Sequence, residues 1–169
     1  LTASTAYEIY VRANCGGDTS SWVSTSFTTQ CAVFNAPYSQ DFENAGSIPD
    51  CWSMSGGEPW IFNISGGHVG NAGSIGNSSA SGGYFAYVDD SSPDNTGTTL
   101  QTPSVDVSGL TTPLLSFYLL SNNEGNSNVN FSVDVYDGSS WNTGAYTSNT
   151  NTADWVEVTI DLSSLTITG

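Results

Sequence analysis

The chain has 169 residues and carries 16 acidic side chains against a single basic one, Arg12, for a formal net charge of −15. That imbalance excludes nucleic acid as a partner, because phosphate recognition needs clustered Lys and Arg, and it disfavours an anionic membrane surface for the same reason. No apolar run approaches the length of a membrane-spanning helix.

Asn, Ser, Thr and Gly abound while the strong helix formers are scarce, so the composition predicts strands and turns. The acidic excess keeps the chain soluble but loads the folded state with self-repulsion. Salt screens that repulsion, and a bound cation would relieve it. Two readings of the acids stay open: a solvated coat, or a set of calcium ligands.

From the N-terminus, Tyr7, Ile9 and Val11 alternate with Glu8, Tyr10 and Arg12, the period of a half-buried strand. Gly16-Gly17-Asp18 supplies a turn, and Trp22 to Thr29 supplies the partner strand of a hairpin. The segments "TAYEIYVRA" and "SSWVSTSFTT" resemble the last hairpin of a fibronectin type III domain. That resemblance implies that residues 1–30 are the C-terminal part of such a domain. Two strands alone cannot make a stable sandwich.

A short linker runs from Gln30 to Pro37. Beyond it the alternation predicts strands at 60–64, 83–89, 98–107, 113–121, 129–136 and 154–162, separated by Gly-, Asn- and Ser-rich loops. Asp41-Phe42-Glu43 reads as a further, first strand with both acids on one face. The loop 65–82 is long and carries few anchors, a pattern of functional or mobile loops. No stretch has the period of a long amphipathic helix. The fold class is therefore all-β, an antiparallel two-sheet sandwich of the jelly-roll kind.

The blocks "DFE", "CW", Trp60, "GGYFAYVDD", "TTLQTPSVDVSG", "PLLSFYLL", "VNFSVDVYDGSSW" and "ADWVEVTIDLSSL" occur in the order found in MAM domains, and residues 31–169 resemble that module. MAM domains are extracellular jelly rolls of meprins and receptor tyrosine phosphatases, also present in secreted bacterial proteins. The resemblance implies a closing strand beyond Gly169, so the domain is read as lacking its last strand. A second chain or a neighbouring segment is then expected to complete it.

Cys31 and Cys51 match the first cysteine pair of the MAM pattern, and the resemblance implies a disulfide between them. Such a bond closes a loop of about 20 residues, stabilises by roughly 3 kcal/mol and places the protein in an oxidising compartment. Cys15 has either an upstream partner or none. Jelly rolls of this kind commonly hold a structural cation between the first strand and a nearby loop. The resemblance thus suggests calcium, an oxygen-seeking ion, at Asp41, Glu43 and Asp89 or Asp90, with Asp161 in the last strand as a further candidate. The family's Asp-His-Thr block is replaced here by Asn77-Ser78-Ser79.

Chemistry of other kinds finds little support. The one histidine, His68, lies in the Gly-rich loop without a Gly-x-Ser-x-Gly elbow, so a nucleophile–base arrangement is not evident. No Cys-x-x-Cys spacing suggests zinc. Most aromatics fall at alternating strand positions and read as core; Trp60 and Trp141, next to loops, are the two that read either as core or as an exposed carbohydrate-stacking surface. Asn63-Ile64-Ser65, Asn77-Ser78-Ser79 and Asn130-Phe131-Ser132 match the N-glycosylation sequon.

The sequence reading is thus a non-catalytic adhesion or binding module of a secreted or cell-surface multidomain protein, in the style of exported Bacteroidota proteins. Its surface loops would recognise protein or glycan. The alternative is an accessory, substrate-targeting domain of a secreted peptidase or glycoside hydrolase whose catalytic unit lies elsewhere.

Overall fold

The computed structural model describes residues 1–66, 83–88, 97–121, 130–152 and 154–165. Among these residues every regular element is a β-strand: β1 (Ala6–Val11), β2 (Val23–Thr28), β3 (Phe34–Asn35), β4 (Ser53–Ser55), β5 (Ile61–Asn63), β6 (Phe85–Tyr87), β7 (Thr99–Gln101), β8 (Val105–Asp106), β9 (Leu114–Leu119), β10 (Phe131–Tyr136), β11 (Trp141–Ser148) and β12 (Val156–Asp161). They pair two by two, and all pairs are antiparallel except β3 with β8.

The main core lies between the pairs β9–β12 and β10–β11. In β12, Val158 and Ile160 point inward, and Leu162 follows them into the same cluster. The register sets Phe117 opposite Val158 and Leu115 opposite Ile160, so the inward faces of β9 and β12 coincide. The odd residues of β10, Val133 and Val135, pack against this face together with Tyr146 of β11. Phe117, Phe131 and Tyr146 form a ring cluster between the two pairs, with centroids 5.9 to 6.3 Å apart. Face-to-face strand pairs with apolar side chains interdigitating between them are the packing of a β-sandwich.

A second aromatic cluster surrounds β5–β6, and it covers both of its faces. Phe62, opposite Ala86, meets Phe42, which also packs edge-on against Trp52. Phe85, opposite Asn63, faces the other way and meets Trp155 just before β12. Phe62 and Phe85 are accordingly 5% and 3% exposed.

Several elements differ from the sequence expectation. Residues 41–43 are not a strand: Phe42 has φ 62°, outside the extended region. The side chain of Gln40 accepts the Phe42 N–H at 2.6 Å, and the ring contacts with Trp52 and Phe62 hold the bend. Asp41 and Glu43 therefore do not share a strand face. The expected strand 98–107 is two, β7 and β8, separated at Pro103, which has no N–H to give a ladder. β3, β4 and β11 are additional to the expected set. The loop expected at 65–82 lies almost wholly outside the described residues, as does His68.

The N-terminal hairpin forms as its alternation predicts, with Tyr7 opposite Phe27, Ile9 opposite Thr25 and Val11 opposite Val23. Tyr7 and Phe27 stack at 5.8 Å, and Arg12 lies 4.6 Å over the Trp22 ring. The apolar face of this hairpin is nevertheless exposed: Val23 is 66% and Val11 59% accessible. At its base the Ser4 N–H donates to the Gln30 carbonyl, and the Ser4 hydroxyl lies 3.3 Å from the Cys31 sulfur.

Candidate functional site

Cys31 and Cys51 form a disulfide, with Cα atoms 5.9 Å apart. It closes the loop that holds Tyr38, Phe42 and, just past its end, Trp52, whose indole N–H donates to the Tyr38 hydroxyl at 2.9 Å. Cys15 is an exposed thiol near the tip of the first hairpin.

Of the carboxylates expected as calcium ligands, Asp41, Glu43 and Asp161 fall within the described residues. Among the described residues no three His, Cys, Asp or Glu side chains come together in a way that could hold a metal ion. Asp41 accepts the Glu43 N–H at 3.1 Å, and Glu43 reaches across to accept the Tyr84 N–H at 2.8 Å, beside β6. Asp161 ends β12 and accepts the Ser163 N–H at 2.8 Å, so it is engaged with its own turn. The Ser163 hydroxyl, and after it this amide, holds the Asp161 carboxyl below its ordinary range. Asp89 and Asp90 lie outside the described residues.

A different use of acids recurs: Asp-x-Ser. Asp106 accepts the Ser108 N–H at 2.8 Å, Asp137 the Ser139 N–H at 2.9 Å, and Asp161 the Ser163 N–H. Each is an Asx turn, in which the side chain replaces a backbone acceptor two residues on. The most elaborate closes the β10–β11 connection. Asp137 takes bonds from the Ser139 and Ser140 amides, both of their hydroxyls and the Asn142 side chain. The Ser140 amide, then Asn142 and Ser139, push its carboxyl far below the ordinary range. The motif was visible in the sequence as Asp-Gly-Ser-Ser before Trp141, and its spacing is the signal that would have found β11.

Beside that turn stands an exposed aromatic pair. Tyr136 and Trp141 are directly opposite in the register, with ring centroids 5.3 Å apart and planes at 51°. They are 50% and 53% exposed. Trp141 is thus on the surface, as one reading of the sequence has it. Trp60 is placed otherwise: it is half-buried, and its indole nitrogen is buried without an acceptor among the described residues.

Along the same outward face of β10 run Asp134 and Ser132, and Thr147 lies opposite Ser132. Asp134 is fixed in place: the bulge in β11 presents the Gly144 N–H to its carboxylate at 2.7 Å, and Ser132 donates its hydroxyl to the same oxygen at 3.1 Å. Gly144 has φ +68°, a conformation that favours glycine. Beyond Ser132 a surface groove of about 390 Å³ is lined by Asn130, Phe131, Ser132, Thr147, Ser148 and Asn149.

No family model, no curated protein and no solved structure matches this chain.

Proposed function

We propose that this chain is a non-catalytic recognition module of a secreted or cell-surface multidomain protein, a MAM-like jelly roll behind a fibronectin-III-like hairpin. The observation that carries the reading is the Tyr136–Trp141 pair. The outer face of a sandwich strand is ordinarily polar, and β10 obeys this at Ser132 and Asp134, which are exposed. The rule breaks at Tyr136 and, across the ladder, at Trp141. A break of a local rule with both rings left half in water supports a contact surface.

Two further features support a modular, exported setting. The Cys31–Cys51 bond fits an oxidising compartment. The apolar face of the first hairpin, built from Tyr7, Ile9, Val11, Val23 and Phe27, suits the packing of a neighbouring domain of the same polypeptide. Calcium belongs to the proposal as a structural cation, with Asp41, Glu43, Asp89 or Asp90, and Asp161 as its candidate ligands.

The test is a binding screen of the folded chain against arrayed glycans and extracellular proteins, with Trp141→Ala in parallel. Saturable binding that the variant weakens supports the reading. A screen in which nothing binds removes it.

A further inference from the structure

We infer that the outward face of β10–β11, from the Tyr136 and Trp141 rings to the groove at Ser132 and Thr147, is a binding strip for a neutral oligosaccharide. This rests on the recognition-module reading and specifies its ligand.

The strip has two unlike halves, and together they select the ligand. At one end the Tyr136 and Trp141 rings offer half-exposed faces 5.3 Å apart. Such rings suit a partner with an apolar face and polar edges. At the other end the groove is lined on the outward face by the hydroxyls and amides of Ser132, Thr147, Asn130 and Asn149, and at its inner edge by Phe131 and Ser148. The hydroxyls and amides pair with sugar hydroxyls as donors and acceptors. Between the halves, Asp134 is held by Ser132 and the Gly144 amide, so its carboxylate is oriented before any ligand arrives. Ordering that is complete before association need not be supplied at binding.

Charge narrows the class. A molecule with a net charge of −15 repels sulfated or uronic-acid glycans. The one carboxylate on the strip is occupied by two donors, and its neighbours carry no charge. A cationic peptide would therefore meet a single acid already engaged, whereas a hydroxyl-rich neutral chain meets acceptors and donors along its length. Size narrows it further. Tyr136 and Ser132 are four residues apart on one strand, about 13 Å, which is longer than one sugar ring and points to an oligosaccharide.

The experiment measures binding of the folded chain to cellohexaose, laminarihexaose and mannohexaose by calorimetry, with dextran sulfate and a lysine-rich peptide as charged probes. Binding to at least one neutral hexasaccharide is expected. Trp141→Ala should weaken it roughly tenfold or more, in line with the loss of an aromatic contact that the ligand covers. Thr147→Arg, an exposed change that fills the groove while leaving the ring pair intact, should weaken it too. Tyr118→Ala removes an equally exposed ring from β9 and should leave affinity unchanged, and thermal melts of each variant check folding. Neutral-sugar binding indifferent to both Trp141→Ala and Thr147→Arg, or binding confined to a charged probe, overturns this inference and leaves the recognition-module reading standing. Failure of every glycan and every extracellular protein in the wider screen overturns both.

Discussion

Glu43 accepts the backbone N–H of Tyr84 at 2.8 Å, joining the disulfide-closed loop to the start of β6 across 41 residues of sequence. Gly83 lies directly beneath this bond, and a Cβ at position 83 would collide with the Glu43 carboxylate. The acid is thus a strut between two segments, and the glycine is what lets it pass.

Gly83→Ala should lower the melting temperature by several degrees, because it expels Glu43 from the amide. Glu43→Ala removes the same bond. Combined, the two changes should cost clearly less than their sum, with a coupling energy of about 1 kcal/mol. Denaturant titrations of the four proteins measure this, and strict additivity would show that Glu43 and Gly83 act independently.

The disulfide predicts a stability loss of its own. Its 20-residue separation makes the unfolded chain lose loop entropy, worth about 3 kcal/mol. Cys31→Ser with Cys51→Ser should therefore lower the unfolding free energy from urea titration by that amount, while Cys15→Ser should leave it unchanged, since that thiol is exposed and unbonded.

Asp137 predicts a pH dependence. Its carboxyl is held far below the ordinary range by the amides of the β10–β11 turn and by Asn142. A depressed native value stabilises fully above the unfolded value of about 4, and the contribution fades as pH falls through that value toward the native one. The difference in melting temperature between the wild type and Asp137→Asn should thus be largest near neutrality and shrink below about pH 4. A difference that stays constant with pH would mean the charge of Asp137 is not what closes the turn.

Self-repulsion and a specific cation make separable predictions. With a net charge of −15, sodium chloride alone should raise the melting temperature by screening. Calcium at equal ionic strength should add a further increment, since binding to the native state stabilises by mass action. Glu43→Gln should remove the increment and spare the sodium effect. Equal curves for the two salts in the wild type would dismiss calcium as a cofactor.

β10 and β12 were legible because apolar and polar residues alternate through VEVTID and through FSVDVY as far as Tyr136. β11 was not: its bulge sets Val133 opposite Tyr146 but Val135 opposite Asn142, which breaks the period that a reader would count. The acids illustrate the same limit. Asp41 and Glu43 look like a facing pair in an extended segment, yet Phe42 leaves the extended region and sends them to separate partners. The exposure of Trp141, against the half-burial of Trp60, had no signature at all in residue type.

Composition and two-residue periodicity by themselves determined the all-β class, the anionic surface and the first hairpin, since these depend on local steric preference and on charge count. The order of the sequence blocks suggested Cys31 and Cys51 as partners, and the folded chain brings their sulfurs into one bond. Only tertiary packing decided which carboxylates cap turns, which aromatic stays at the surface, and where hydroxyls gather beside it. Those outcomes turn on contacts between segments far apart along the chain, and a linear pattern does not encode which face of a strand another strand will cover.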